Sequence, residues 1–563
     1  MDALVARTYE RKRYRAYAYV SGWRILHLPQ VVKFLAVMRK NFLLHIAFML
    51  LMGAVAMGCE KGPAEDNTTD STQSITLAMN SYAVGEKGGN FSLPYVVDGL
   101  EEGVSLVATS DAEWLSALSA KGNTLKFHVD NNLGEERRRD DIKISVEGKE
   151  LATLHIEQCA APLRFEVFET RSTADVPYRI PAIAVTPQGT IVCAADYRHS
   201  YKDIGVVENG RIDLHARRSH DNGASWDALQ VIINGKGAES EDFMNVGYGD
   251  PCLVADRVSG RLLLLSCAGN VRFQDGTRKR HQNIARFYSD DDVASWSEPE
   301  DIAESIYSQF DASPYGPVKA MFVASGRIMQ SRTTKVNEYY RLYCSVLVRD
   351  VNDNYTNYKN FVLYSDDFGG SWSILGGANK AAITTADEAK VEELPNGSIL
   401  ISSRTNGGRY YNIYDFDNVE AATGKWQTQS FSGWSNSGVS AKDNSTNGEI
   451  MLLDVVRQAD GKVMQLLLQS VPLGPGRSNV GVYYKGLEDD SDYVTSELVA
   501  KSWEGVLQLT TRDSAYSTMT LQNDGNIALL WEEATHCAGG DGYTIVYGSY
   551  SVEQITNNAY RIL

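Results

Sequence analysis

Histidine and cysteine are both scarce in this 563-residue chain, with 9 and 7 copies. No group of them has the short, regular spacing of a zinc site. The seven cysteines, Cys59, Cys159, Cys193, Cys252, Cys267, Cys344 and Cys537, are scattered and odd in number, so no disulfide framework is implied and most are expected as buried thiols. Positive charge is in deficit as well. With 54 Lys and Arg against 71 Asp and Glu, the net charge is −17, which argues against a nucleic-acid partner. Helical periodicity is almost missing from Leu163 onward, where short apolar runs alternate with Gly, Asn and Asp turns. Tyrosine is what the chain has in plenty: its 30 copies suit strand-rich folds and sugar-binding surfaces.

One mostly apolar run stands out near the front. After Arg39-Lys40 it extends from Phe42 to Val55 and closes on Ala56-Met57-Gly58-Cys59, the layout of an export signal ending in small residues. The segment resembles a bacterial lipoprotein signal. That resemblance implies cleavage before Cys59, lipidation of Cys59 and anchoring to the bacterial outer membrane, with residues 59–74 as a polar tether. Residues 1–37 are basic and aromatic, and Met38 is a second plausible start, so they read as an upstream mis-assigned extension or as a cytoplasmic one.

Residues 75–159 carry alternating runs, Phe91-Ser-Leu-Pro-Tyr-Val-Val97 and Leu125-Lys-Phe-His-Val129, between turn signals, and end in Leu154-His-Ile-Glu-Gln158. They predict a small β-sandwich. With Trp114-Leu115 in the middle, the segment resembles the BACON domain of carbohydrate enzymes, whose role here is glycan binding or spacing. The lack of an aromatic platform favours spacing.

From residue 160 to 563 the dominant signal is a repeated octet: Ser219-His-Asp221-Asn-Gly223-Ala-Ser-Trp226, Ser289-Asp-Asp291-Asp-Val293-Ala-Ser-Trp296 and Ser365-Asp-Asp367-Phe-Gly369-Gly-Ser-Trp372. The copies begin 70 and 76 residues apart, so one supersecondary unit recurs. In each, Asp can accept from amides of its own turn, Gly supplies a positive φ and Trp pins the turn on its sheet. The octets therefore serve folding. Val293 in the glycine slot is expected to strain the second turn slightly. About 400 residues at this period give close to six units, each long enough for a four-stranded blade. Tyr414-Asp415 through Lys425-Trp426 reads as a decayed fourth copy.

The octets, with Tyr178-Arg179-Ile180-Pro181 ahead of them, resemble the Asp boxes and Arg-Ile-Pro motif of the exo-sialidases of glycoside hydrolase family 33, over about residues 165–560. The resemblance implies an all-β catalytic unit, a six-bladed β-propeller, and a clamp of three arginines for the carboxylate of sialic acid. Arginine suits that task because its planar fork binds carboxylate at two points, and an acidic chain needs such concentrated positive charge to hold an anionic sugar. Arg179 matches the first clamp residue. Glu388-Ala-Lys-Val-Glu-Glu-Leu394-Pro-Asn-Gly397 leads through a strand to Arg404, the second, and Arg477 in Gly474-Pro-Gly-Arg477-Ser-Asn479 matches the third.

An anomeric carboxylate makes a carboxylate nucleophile electrostatically poor, whereas a neutral phenol with a glutamate base avoids the repulsion. By resemblance Tyr516, in Ser514-Ala-Tyr-Ser-Thr-Met519, is the nucleophile and Glu388 its base. Glu392 and Glu393 compete for that role but lack the offset to Leu394 and Arg404. Glu532 matches the acid that steadies Arg179. Asp203, in Arg198-His-Ser-Tyr-Lys-Asp203, matches the acid/base, with Asp196 and Asp213 as alternatives and His199 read as solvated. Arg198 and Asp250, in Tyr248-Gly-Asp250-Pro251, match positions contacting the N-acetyl and hydroxyl groups. Tyr178 replaces the family's commoner Phe. No cofactor or metal is implied, and the expected partners are sialylated glycans and a membrane. Transfer to another acceptor, intramolecular transfer and a non-catalytic lectin are the rival activities.

Overall fold

The protein is described from a computed structural model that covers residues 73–563, apart from 102, 354–357, 444–445 and 539–541. The proposed extension, signal, tether and Cys59 lipidation lie outside the described residues, save Gln73 and Ser74. Thr72–Leu563 forms one compact unit. It is nearly all β. The described α-helices are short, Ala303–Tyr307, Ser496–Ala500 and Val552–Ile555, and none is long and apolar enough to cross a membrane.

Two four-stranded sheets occupy residues 74–158. One orders its strands Ser74–Leu77, Gly89–Asp98, Thr124–Val129, Leu115–Lys121; the other Ser81–Val84, Lys149–Gln158, Arg138–Val146, Val107–Thr109. Alternation along Thr124–Val129 buries Leu125, Phe127 and Val129, which pack with Leu93, Ile142, Ile144 and Leu154 in one core. Trp114 is capped by the Arg138 guanidinium, 4.5 Å from the ring centroid. These sheets are tied to the later ones by Ala83 N donating to Gln458 Oε1 at 2.9 Å and Gly85 N donating to Asn558 Oδ1 at 2.6 Å.

Among the described residues six sheets follow, each of four strands or more and antiparallel except where Tyr248–Ala255 pairs in parallel with Gly326–Arg327. Their opening strands in sequence are Tyr178–Val185, Tyr248–Ala255, Ala320–Val323, Ala389–Glu393, Ile450–Arg457 and Ser514–Leu521. The fourth strand of the sixth sheet is Leu163–Phe168, which pairs with Thr544–Tyr550, so the start of this region closes its end. Strands such as Leu262–Ala268 and Ile527–Glu533 are buried on both faces, because each sheet packs against neighbours on both sides. The five cysteines Cys159, Cys193, Cys252, Cys267 and Cys344 are buried free thiols.

The three octets form turns between the third and fourth strands of the first three sheets. Asp221 Oδ1 accepts from Ser225 N at 2.8 Å, Ser219 Oγ accepts from Gly223 N at 2.8 Å, and the same bonds recur around Asp291 and Asp367. Trp226 packs on Phe165 and Tyr547 of the closing sheet. Gly223 has φ +89°, and a Cβ there would lie 2.1 Å from the Tyr547 ring, so glycine is required twice over. Val293 does adopt the left-handed conformation, φ +70°, with its side chain fully buried. In the fourth sheet the octet is gone, but Trp426 still packs edge-on against Tyr414 at 5.1 Å.

Candidate active site

Opening strands of different sheets bring their ends to a single cavity of about 330 Å³, lined by Arg179, Asp203, Asp250, Glu388, Arg404, Arg477 and Tyr516 among others. In the first sheet the register shifts between Arg179 and Ala182, where Ile180 takes φ +54°. This irregularity turns Ile180 N toward Glu532 Oε1, to which it donates at 2.8 Å. The same carboxylate receives Arg179 through Nε at 2.7 Å and Nη2 at 3.3 Å, and Tyr516 N at 3.2 Å. Glu532 is fully buried. One acid therefore positions both the first arginine and the backbone of the tyrosine strand.

The second arginine is set by a hairpin. Ala389–Glu393 and Ile399–Thr405 are joined by a tight turn with Gly397 at φ +83°, and Arg404 N donates to Glu388 O at 2.8 Å. Arg404 Nη1 reaches Glu388 Oε2 at 2.9 Å, and its Nε lies 3.5 Å from Asp387 Oδ2. The Tyr516 hydroxyl donates to Glu388, with both carboxylate oxygens at 2.9 Å. Burial pushes the Glu388 carboxyl up to about 7 against the pull of Arg404. Burial, with the Glu388 charge adding to it, holds the Tyr516 phenol well above its ordinary value, while Arg404 and Arg477 oppose the rise. Glu392 and Glu393 do not line this cavity. Glu392 pairs with Arg327 and Glu393 accepts from Ser331 and Thr333.

Arg477 arrives from the fifth sheet, where its carbonyl accepts from Ser514 N at 2.9 Å, two residues before Tyr516. Its guanidinium carbon lies 5.8 Å from the Tyr516 ring centroid, and that of Arg179 lies at 5.9 Å. Arg477 has no carboxylate within 4 Å among the described residues, unlike Arg179 and Arg404. Three guanidinium groups thus border one phenol, a local concentration of positive charge inside an acidic protein.

On the opposite side Asp196, fully buried, accepts from Arg198 Nε at 2.9 Å and Nη2 at 2.6 Å, and from Asp250 N at 2.8 Å. Burial lifts Asp196 to about 6 and Asp250 to about 7. Arg198 also pairs with Asp203, whose carboxyl it holds below the ordinary value. The Asp203 side chain is 71% exposed, at the mouth of the cavity. Asp213 is engaged elsewhere, by Arg211, Gly235 N and His199 Nε2 at 2.8 Å, so His199 is paired rather than simply solvated. Tyr178 has its hydroxyl 2.9 Å from His215 Nδ1, a partner a phenylalanine could not use. Sequence reasoning weighed Asp196 only as an acid and not as the partner of Arg198, and it missed Asp387, the partner of Arg404, and Gln282, Phe273, Phe322 and Leu347 on the cavity wall. None sits in a motif.

The BNR repeat-like domain family matches residues 205–529, more than half of the chain. The sialidase of Paraclostridium sordellii is 25% identical over 369 residues, spanning 63% of this chain and 81% of that protein. Among solved structures, a Hadza microbial sialidase is 17% identical, with a TM-score of 0.53 over 86% of this chain and 98% of the other. The intramolecular trans-sialidase from Ruminococcus gnavus is 16% identical, with a TM-score of 0.51 over 70% of this chain and 98% of the other. At such identities these two structures speak to fold.

Proposed function

We propose that this chain, which belongs to the BNR repeat-like domain family, is a retaining exo-α-sialidase that removes terminal sialic acids from glycoconjugates. The observation that carries the reading is the Tyr516 hydroxyl on both oxygens of Glu388, in a cavity bordered by Arg179, Arg404 and Arg477. The relative named as a sialidase supports the substrate class.

In this reading the substrate carboxylate enters the three-arginine clamp and brings the anomeric carbon to Tyr516. Asp203 gives its proton to the leaving glycosidic oxygen as Tyr516 Oη attacks and passes its own proton to Glu388. A carboxyl near pH 7 is well matched to take and return that proton. Water, deprotonated by Asp203, then displaces the tyrosine, Glu388 returns the proton, and two inversions give net retention. The arginines hold the substrate carboxylate in place, and that carboxylate, attached to the anomeric carbon, offsets the developing positive charge of the ring in the transition state.

The same reading makes the six sheets the blades of a propeller over residues 160–563 closed by Leu163–Phe168, the octets Asp boxes, and residues 75–159 a BACON-like spacer. From the sequence of residues 39–59 we propose export and lipid anchoring at Cys59.

Turnover of 4-methylumbelliferyl α-sialoside by wild type and Tyr516→Phe tests the proposal. A loss of at least about 100-fold, roughly 2.7 kcal/mol of transition-state stabilisation, is expected. Sialoside binding without turnover by the wild type would replace the hydrolase reading with a lectin. NMR of the released sugar distinguishes free sialic acid from a transfer or anhydro product.

A further inference from the structure

Among the described residues the buried arginines are Arg198, Arg286, Arg341, Arg349 and Arg409. The first four each pair with a carboxylate, on Asp196, Glu300, Asp366 and Asp353. Arg409 is fully buried, yet no described carboxylate lies within 4 Å of it. Its guanidinium donates to neutral oxygens alone, from Nε to Ser402 Oγ at 2.9 Å, from Nη2 to Ser402 O at 2.7 Å and from Nη1 to Thr446 O at 3.3 Å. Buried charges are ordinarily paired, because bonds to neutral oxygens replace only part of the hydration that is lost. The position of Arg409 sharpens the anomaly. Between Ile399–Thr405 and Gly408–Asn418 it stands directly opposite Arg404, a like charge with Cβ atoms about 5 Å apart across the ladder. Burial pushes its guanidinium down to about 10 and Arg404 adds to the fall, against the pull of Tyr411, Glu388 and Asp387. At neutral pH it is still a cation.

We propose that Arg409 is a positioning residue for the anionic substrate: a buried positive charge beside Arg404, off the cavity wall, whose counter-charge is the carboxylate that the clamp receives. The proposal rests on the sialidase reading and deepens it by adding a charge that the substrate never touches. Arg179 is balanced by Glu532, and Arg404 by Glu388 and Asp387. Of these four arginines, Arg477 and Arg409 are left without a carboxylate. Charge inside a protein acts over longer distances than in water, because the local dielectric is lower, so Arg409 helps to hold an anion at Arg404 without contact. The carboxylate is present in substrate and transition state alike. The contribution is therefore uniform binding, which lowers Kd and KM and leaves kcat nearly unchanged. The rival role is a tether: the same fork fastens Ser402, two residues before Arg404, to Thr446, and that role needs donors rather than charge.

The test measures Kd for the didehydro analogue of sialic acid by calorimetry, with KM and kcat on the 4-methylumbelliferyl sialoside, using the full chain as wild type, Arg409→Lys, Arg409→Gln and Arg409→Met. Lysine keeps the charge and gives up the planar fork, glutamine keeps a donor without the charge, and methionine keeps neither. Kd and KM are expected to rise at least about 5-fold in Arg409→Gln and Arg409→Met, with kcat within about 2-fold of wild type, while Arg409→Lys stays within about 2-fold on all three. Arg409→Lys binding as poorly as Arg409→Met, Arg409→Gln binding as tightly as wild type, or a loss confined to kcat overturns the proposal and makes Arg409 a tether. The comparison of Lys with Gln decides the matter even where Arg409→Met does not fold. A wild type that binds the analogue without turning over the sialoside sinks the hydrolase reading and leaves the Kd series to judge Arg409 on its own; binding of neither ligand sinks both.

Discussion

The Tyr516 hydroxyl lies 2.9 Å from each carboxylate oxygen of Glu388. The two residues are 128 apart in the chain, and both are pushed toward their neutral forms by burial. The phenol keeps its proton, so the contact is a poised donor and acceptor rather than a stored phenolate. Substrate binding has to provide the drive for transfer.

The raised pKa of Glu388 makes a stability prediction. Its folded value, about 7, lies above the ordinary 4.5. Below pH 4.5 the carboxyl is protonated in both states and carries no penalty; stability is lost as pH rises from there through 7, by about 3 kcal/mol in all. Glu388→Gln is neutral at every pH and escapes this loss. The melting temperature of the variant relative to wild type is expected to rise between pH 5 and pH 8, measured by thermal unfolding at both. A gap that stays constant or shrinks would show that the Glu388 carboxyl is not destabilised by burial.

Asp203 yields a prediction about leaving groups. Arg198 holds its carboxyl low, and in the proposed reaction substrate covering the exposed side chain would favour protonation by removing water. A natural glycan leaves as an alkoxide and needs that proton, whereas 4-methylumbelliferone is a far better leaving group. Asp203→Ala is expected to lose about 100-fold or more in kcat/KM on sialyllactose and about 10-fold or less on the aryl sialoside. Equal losses on both would remove Asp203 from the proton-donor role.

How much of this was legible follows the range of the interactions. The octet turns could be read because Ser219, Asp221 and their counterparts bond amides at most four residues away. The Glu388–Arg404 hairpin lay within one short motif for the same reason. Glu532 and Arg179 are 353 residues apart, and only the resemblance to a family placed them together. Asp196 was weighed only as an acid, although it anchors Arg198, because an anchoring role depends on what stands above the side chain. Gln282 went unnoticed for a similar reason: a place on a cavity wall is a property of the fold, not of a local pattern. Tyr178 looked like a neutral departure until His215 appeared as its partner.

Val293 sets strain against packing. Its φ of +70° costs a β-branched residue about 1–2 kcal/mol, but its side chain is fully buried among Ala216, Leu262 and Phe287. Val293→Gly relieves the strain, removes about 2 kcal/mol of apolar burial and adds backbone freedom to the unfolded chain worth up to about 1 kcal/mol. The variant is expected to be about 1 kcal/mol less stable by denaturant midpoint, despite restoring the glycine of the other octets. Stabilisation on this substitution would mean that strain dominates.

The clamp arginines should separate by what holds them. Arg179 neutralises Glu532, which is fully buried, so Arg179→Ala leaves an uncompensated charge in the interior and should cost about 3–5 kcal/mol of stability as well as activity. Arg477 touches the ring of Tyr516 but balances no carboxylate among the described residues, so its positive charge is free for a ligand. Arg477→Ala is therefore expected to fall at least about 30-fold in kcat/KM on the aryl sialoside, about 2 kcal/mol for one charge-assisted contact, while its melting temperature stays within a few degrees of wild type. The two variants run side by side in calorimetry and kinetics decide it: if Arg477→Ala unfolds as early as Arg179→Ala, the third arginine is a structural residue and the clamp has only two members.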